Sequence, residues 1–296
     1  METFFENVLI GVSIGSIYSL LGMGIVIIFK ATRIFNFAAG AVAALSAFIF
    51  LGFSETLNLN IGISIALTLI VGLCMGWAAE RIFLRPMIGQ PLLASIMMTL
   101  ALSSVIEGVI FLVGRGKFKA FLPIFEPEFF TIGKMTLPTI YVISIVTLIA
   151  LYILLDLFFK HTKLGLGMMA TAEDHQVAQS KGIEVTFAFM ASWAICMLIC
   201  AIGGILLGSL SGAASHLLIP IALKAFAVVL CGGLESFLGC LVMGPVVGIV
   251  EIFSTAYLVN FIPWTGMEKA TPYLLMVLII IFKREGLFGL KTIERI

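Results

Sequence analysis

The stretch NVLIGVSIGSIYSLLGMGIVIIF, residues 7–29, contains no charged side chain. An α-helix rises about 1.5 Å per residue, so a helix over this stretch can cross the hydrocarbon core of a bilayer, which is about 30 Å thick. The residues before it, METFFE, are acidic, whereas a secretory signal peptide begins with basic residues. The stretch is therefore predicted to be a membrane span that is not cleaved.

Eight more apolar runs follow, separated by short polar breaks or by breaks marked with Gly and Pro. They lie at about 38–53, 61–79, 91–113, 139–159, 185–210, 220–232, 236–259 and 270–282. Hydrophobic residues make up 61% of the 296-residue chain and charged residues 11%, compared with about 25% charged in soluble domains. We expect an all-α, polytopic transmembrane bundle of about 8 to 10 spans, forming one domain over residues 1–296.

The distribution of basic residues predicts the orientation of this bundle. If the runs cross the membrane alternately, one side collects Lys30, Arg33, Arg81, Arg85, Lys160, Lys163, Lys181, Lys283, Arg284, Lys291 and Arg295. The other side collects Arg115, Lys117, Lys119, Lys134 and Lys269. Because the more basic side faces the cytoplasm, we expect the amino terminus outside and the carboxyl terminus inside. The long external loop at 114–138 contains the alternating segment 129–134, which we expect to form a small hairpin facing an external partner.

Several classes of function are excluded by what the chain lacks. The net charge is +1 with no polybasic run, which argues against binding to nucleic acid. No phosphate-binding or dinucleotide-binding glycine motif occurs, so we expect no cofactor on this chain and expect any ATP to be hydrolysed by a partner. The five cysteines lie inside apolar runs without metal-ligand spacing, so we expect packing residues and no metal site.

An enzymatic role is also disfavoured. The motif Gly11-Val12-Ser13-Ile14-Gly15 matches the nucleophile elbow of hydrolases, but that motif requires a strand before the serine and a helix after it. Here it lies within a predicted helix, and none of the three histidines is placed to serve Ser13. We therefore expect that the protein is not an enzyme.

Pairs of glycines four residues apart predict close helix packing. They are Gly11 with Gly15, Gly72 with Gly76, Gly204 with Gly208, and Gly244 with Gly248. In lipid, such spacing lets two helix backbones approach each other.

The polar segment after the fifth run carries both a start signal and a stop signal for a helix. Thr171-Ala172-Glu173-Asp174 resembles a capping box, Lys181 falls in the last turn, and Gly182 follows as a C-cap. The pattern predicts a short cytoplasmic helix from about Ala172 to Lys181. A rigid helix between two spans suits docking to a motor subunit, and a merely solvated loop helix is the alternative. The candidate docking residues are Thr171, Glu173, Asp174, His175, Gln176, Lys181 and Gly182.

Ionisable residues at membrane depth are costly and indicate function. Glu107, Lys224 and Glu251 qualify, although Glu107 lies near the outer end of its span. Lys224 and Glu251 fall on consecutive runs and are predicted to be coupled inside the membrane. The pair could serve function, or it could be a purely structural pair that holds short helices together. Antiparallel packing of these runs leaves the two residues about 10 Å apart in depth.

Three blocks of the chain together resemble the permease of branched-chain amino-acid ABC importers. They are IYSLLGMGIVIIFKATRIFNFAAGAVAALSAF from Ile17, GLGMMATAEDHQVAQSKGI from Gly165, and ALKAFAVVLCGGLESFLGC from Ala222 on towards Glu251. The resemblance implies a multi-pass subunit of the cell inner membrane that forms the translocation path for branched-chain, small apolar amino acids. It also implies four further subunits: a second homologous permease, two ABC ATPase subunits that bind the ATP, and an extracytoplasmic substrate-binding protein. Membrane lipid surrounds such a subunit.

The resemblance and the intramembrane charges together give a candidate translocation path. Its residues are Ser13, Tyr18, Asn36, Phe37, Gly40, Lys224 and Glu251. The chain departs from the family by reading NFAAGA from Asn36 where NFAQGE is usual, and LGMM from Leu166 where arginines are usual. These departures leave the exact substrate open, and a urea or short-amide permease of the same superfamily, which shares much of this pattern, is one alternative. An ion-coupled secondary transporter is the other, and it would need paired acids or an unwound site near the midplane.

Overall fold

The computed structural model describes residues 2–114, 129–132, 135–211, 215–258 and 267–289, and the chain over these ranges is helical except for one hairpin. The helices are α1 (Glu2–Thr32), α2 (Ala39–Leu51), α3 (Ile61–Ala79), α4 (Leu92–Gly114), α5 (Thr139–His161), α6 (Lys163–Glu173), α7 (His175–Ser180), α8 (Val185–Ser211), α9 (Ser215–Gly232), α10 (Phe237–Phe253) and α11 (Met267–Phe282). Three of them continue into π-helical turns: α2 over Gly52–Thr56, α3 over Glu80–Leu84, and α10 over Ser254–Leu258. The α3 extension ends in a 3₁₀ turn, Arg85–Met87.

Every predicted apolar run forms a helix, which confirms the all-α polytopic class. Seven helices of the described chain, with their extensions, are long and apolar enough to cross a membrane. The shorter apolar helices are Leu223–Gly232 and Lys269–Phe282, which belong to α9 and α11. The membrane orientation of the two termini stays a prediction.

The predicted hairpin is present. Strand β1 (Phe129–Ile132) pairs antiparallel with β2 (Met135–Pro138), with Phe129 opposite Pro138. The rest of the predicted external loop, residues 115–128 and 133–134, lies outside the described residues. That the hairpin faces an external partner stays a prediction.

Helix α1 lies at the centre of the bundle. It packs against α5, α8, α9 and α10, and its side chains from Ile17 to Ile28 are buried. In contrast, only 22% of the residues in the apolar segments of the outer helices α3, α4 and α5 are buried, and the rest are partly or fully exposed. Such faces suit contact with lipid, since soluble monomers rarely expose large apolar patches.

The glycine pairs predicted to bring helices together do so between α1 and α10. A Cβ atom built on Gly11 would lie 2.6 Å from the Cα atom of Ile249, and one built on Gly15 would lie 2.7 Å from the Cα atom of Pro245. A Cβ atom on Gly248 would in turn lie 2.6 Å from the Gly15 nitrogen. The two glycine pairs therefore face each other, and no larger side chain fits between these backbones.

One end of the bundle gathers the turns that connect α1 to α2 and α9 to α10. Arg33, at a left-handed φ of 58°, forms an ion pair with Glu235 in the α9–α10 turn. The segment after α11 closes over the same turn, where the backbone N–H groups of Leu287 and Phe288 donate to the carbonyls of Cys231 and Gly232. This end carries the residues predicted to be cytoplasmic, and α6 and α7 follow α5 there.

Candidate functional site

A cavity of about 490 Å³ lies among helices α1, α5, α8, α9, α10 and α11. It is lined by Ile14, Ile17, Tyr18, Tyr141, Leu207, Leu210, Ile221, Lys224, Glu251, Lys269 and Tyr273. Its volume falls in the range of about 300 to 1,000 Å³ that is usual for small-molecule sites. A cleft of about 730 Å³ beside Phe4 and Phe253 is larger, but none of the described residues that line it is charged. The smaller cavity is therefore the better candidate for a polar ligand.

Three polar side chains from three helices meet in this cavity, and we refer to them as the Tyr18–Lys224–Glu251 triad. The Lys224 ammonium lies 2.6 Å from Oε1 of Glu251 and donates to the Tyr18 hydroxyl at 3.3 Å. That hydroxyl donates in turn to Oε2 of Glu251 at 3.0 Å. Both carboxylate oxygens and the ammonium group thus have partners within the triad.

The triad lies deep in the bundle. Tyr18 is near the middle of α1, about 20 Å from either end of that helix at 1.5 Å per residue. The side chains of Lys224 and Glu251 are 13% and 16% exposed. An isolated charge at the bilayer centre costs at least about 2.5 to 3.5 kcal/mol on insertion scales. Pairing Lys224 with Glu251 offsets part of this cost for both side chains.

The structure confirms the predicted pairing of Lys224 with Glu251 and explains how their difference in depth is bridged. Side chains in a helix tilt towards its amino terminus. Because α9 and α10 run in opposite directions from their turn, the Lys224 side chain tilts away from the turn and the Glu251 side chain tilts towards it. The two long side chains thereby meet.

The predicted path residue Ser13 lies outside the cavity. Its side chain is fully buried, and its hydroxyl donates to the Leu9 carbonyl at 2.8 Å, with the Tyr141 carbonyl at 3.4 Å. These contacts satisfy the hydroxyl where α1 packs on α5. A role for Ser13 in the path stays a prediction.

Asn36 and Phe37 lie in the break between α1 and α2, and Gly40 lies in the first turn of α2. The Asn36 side chain is fully buried and its Oδ1 accepts from the backbone N–H of Ala38 at 3.0 Å. The Phe37 ring stacks on Phe226 with ring centroids 4.4 Å apart. The structure thus brings three of the seven predicted path residues together in the cavity. The three residues at the break do not line it, but the contact with Phe226 places Phe37 near Lys224 on α9.

The segment predicted to dock a motor subunit forms two short helices rather than one. Asp174, not Thr171, is the N-cap of α7, because its Oδ1 accepts from the backbone N–H groups of Gln176 and Val177 at 2.8 and 3.0 Å. Thr171 is buried within α6, where its hydroxyl donates to the Gly167 carbonyl. Helix α7 therefore begins at His175, three residues after the predicted start at Ala172.

The other end of this helix agrees with the prediction. Gly182 follows Lys181 at a left-handed φ of 81°, a conformation that glycine adopts without strain. Ala178 is buried against Val185 and Phe189, which holds α7 to the start of α8. The remaining residues of α7 are exposed, namely His175, Gln176, Val177, Gln179 and Ser180.

Eight lining residues of the cavity were not predicted: Ile14, Ile17, Tyr141, Leu207, Leu210, Ile221, Lys269 and Tyr273. They lie on five different helices, and only the rotation of each helix about its axis directs them inwards. Uniformly apolar runs carry no periodic pattern from which that rotation can be read. Over the described ranges, no three His, Cys, Asp or Glu side chains are grouped as metal ligands.

Comparisons with known proteins place this geometry in context. The family described as "Branched-chain amino acid transport system / permease component" matches residues 7–282. The chain is 24% identical over 309 residues to the high-affinity branched-chain amino acid transport system permease protein LivH of Escherichia coli (strain K12), covering 99% of this chain and 98% of that protein. It is 23% identical to BraD of Pseudomonas aeruginosa, a protein of the same description, with the same coverage. It is 27% identical to a probable branched-chain amino acid transport permease protein LivH of Methanocaldococcus jannaschii, covering 94% of this chain and 90% of that protein.

Proposed function

Because the chain belongs to the family of branched-chain amino acid transport system permease components, we propose that it forms the translocation path for branched-chain amino acids in an ATP-driven importer. The observation that carries this proposal is the family match over residues 7–282, which includes every helix of the cavity. The chain is a multi-pass membrane protein, and the proposed reaction is movement of the substrate without breaking a bond.

The proposed complex contains a second homologous permease, two ABC ATPase subunits and an extracytoplasmic substrate-binding protein. This chain has no phosphate-binding loop, so ATP is bound by the partners and the chain itself needs no cofactor. ATP binding in the partners biases which side of the path is open.

Helix α7 is proposed as the contact for one ATPase subunit. It is short, capped at both ends, and held to α8 through the buried Ala178. Its exposed residues, with Val177 55% exposed, offer both polar and apolar contacts. A movement of an ATPase subunit can therefore pass through α7 to α8 without being absorbed by a flexible loop.

The proposal is tested by reconstituting the chain into liposomes together with its partner permease, the two ATPases and the binding protein. Uptake of radiolabelled L-leucine is measured with ATP or ADP enclosed, and an ATPase variant without its phosphate-binding lysine serves as the control. We expect uptake only with ATP and active ATPases. Leucine uptake that ignores ATP and follows an ion gradient would instead favour a secondary transporter, and uptake of urea but not leucine would favour an amide permease.

A further inference from the structure

We infer that the Tyr18–Lys224–Glu251 triad binds the charged groups of a zwitterionic amino acid by exchange of ion-pair partners. In the empty site Lys224 and Glu251 pair with each other. When substrate enters, Lys224 binds its carboxylate and Glu251 binds its ammonium group. This inference rests on the proposed function, because it names the residues of the path that hold the substrate.

The charges of the triad fit a zwitterion better than any singly charged ligand. The pair offers one cation and one anion 2.6 Å apart, both lining the cavity. The third charged side chain in the lining, Lys269, is exposed and is not part of the triad. A zwitterion supplies a partner for each, so no charge is left unpaired at this depth. A simple anion or cation would pair one side chain and strand the other, which is strongly unfavourable in a partly buried site.

Tyr18 suits either state of the site. Its hydroxyl accepts from Lys224 and donates to Glu251 in the empty site. Because a phenol can both donate and accept, it can keep one bond to each side chain while they separate. Tyr18 also fixes the site near the middle of α1, where a substrate is about equally far from both ends of the bundle.

Besides Tyr141, Lys269 and Tyr273, the remaining wall of the cavity is aliphatic and suits an aliphatic side chain. Ile17, Leu207, Leu210 and Ile221 lie beside the triad, on α1, α8 and α9. A branched alkyl group placed there leaves water for an apolar surface while the charged end stays at the triad. A small amide such as urea has neither the two charges nor the alkyl group, so this arrangement favours an amino acid.

A charge-swapped double variant separates this role from that of a purely structural ion pair. Lys224→Glu with Glu251→Lys keeps a pair of opposite charges, so we expect the yield of assembled complex to return towards that of the wild type. The two charges have then exchanged positions relative to the apolar wall. A substrate that keeps its alkyl group on that wall therefore places each of its charged groups against a like charge. ATP-driven leucine uptake should therefore stay about tenfold or more below the wild type, as expected for the loss of a charge-assisted hydrogen bond.

The matched control is the exposed pair Lys160–Asp156, which spans 2.8 Å on α5 outside the cavity. Swapping it should leave both yield and uptake unchanged. If the Lys224–Glu251 swap restores uptake along with yield, the pair is structural and the inference is wrong. If the wild-type complex itself takes up no branched-chain amino acid, the proposed function fails instead.

A second measurement does not depend on recovery of the swapped variant. Leu210→Cys is placed in the complex without the binding protein, and its labelling by a membrane-permeant maleimide is followed by peptide mass spectrometry. L-Leucine should slow labelling, whereas 4-methylpentanoate and 3-methylbutylamine, which each lack one charge, should not. Equal protection by all three, or none by leucine, would overturn the inference.

Discussion

Lys224 and Glu251 each lie inside an apolar helix, where an ionised side chain needs a partner of opposite charge. Each supplies that partner for the other, and Tyr18 adds a hydrogen bond to both. Because pairing offsets the cost of both charges, loss of one member leaves the other exposed to that cost. The energetic coupling between these residues is therefore measurable in the folded protein.

We predict that Lys224→Met and Glu251→Gln each reduce the yield of folded protein, by up to about 3 kcal/mol in stability, since each strands one charge. The double variant should recover part of this loss because no charge remains unpaired. The three variants form a double-mutant cycle, read out by size-exclusion chromatography in detergent and by thermal denaturation. Strictly additive losses would show that the two charges act independently.

At the scale of whole helices, the pairing of α1 with α10 depends on close packing at glycines in addition to polar contacts such as the Tyr18–Glu251 hydrogen bond. Backbones this close gain dispersion energy and exclude lipid, but they leave no room for a Cβ atom at Gly15. The helix that contributes Tyr18 and the helix that contributes Glu251 are thereby locked together. Packing at the glycines and the geometry of the triad are consequently linked.

We predict that Gly15→Ala destabilises the folded protein by about 1 to 3 kcal/mol, because a methyl group must push apart α1 and α10. Gly108→Ala on α4 is the matched control, since a Cβ atom there meets nothing within 4 Å. That control should be neutral or slightly stabilising, as alanine favours the helix. Thermal denaturation in detergent compares the two variants, and an equal effect of both would rule out the close-packing explanation.

A second prediction at this scale concerns α7. Ala178→Pro should break α7 and its contact with Val185 and Phe189, leaving membrane insertion intact while uncoupling ATP hydrolysis from leucine uptake. Asp174→Ala should give a milder form of the same defect, because it removes only the N-cap, worth about 1 kcal/mol. Co-purification of the ATPases and uptake per ATP hydrolysed are the measurements. Normal uptake by the proline variant would refute the docking role of α7.

The sequence predicts the seven long helices of the described chain well because each contains an apolar run long enough to cross a membrane. It places the start of α7 wrongly because Thr171-Ala172-Glu173-Asp174 resembles a capping box, whereas this segment ends α6 and Asp174 is the cap of α7. The pairing of Lys224 with Glu251 is predictable from the cost of intramembrane charge. The sequence does not predict that Tyr18 completes the triad or that Lys269 lines the cavity. Both depend on the rotation of each helix about its axis, and a uniformly apolar helix has no sequence pattern that fixes this rotation.

At the scale of the whole molecule, the proposed path and the proposed docking helix α7 belong to a chain whose sequence has no phosphate-binding glycine motif. The cavity lies near the middle of α1, whereas α7 lies beyond the end of α5. Energy supplied at one end must therefore change the packing of α8 and its neighbours around the cavity. A bundle held by rigid glycine contacts can transmit such a change by movement of whole helices.

We predict that the purified chain, reconstituted alone, neither hydrolyses ATP nor takes up leucine. It has no phosphate-binding loop to hold ATP, and without ATPases nothing biases the path between its two open states. Phosphate release and radiolabelled leucine uptake are measured with and without a proton or sodium gradient, and the complete complex in the same lipid is the positive control. Uptake by the chain alone down an ion gradient would show that it works as a secondary transporter. Uptake restored only when the partner permease and both ATPases are added would show that the energy enters through them.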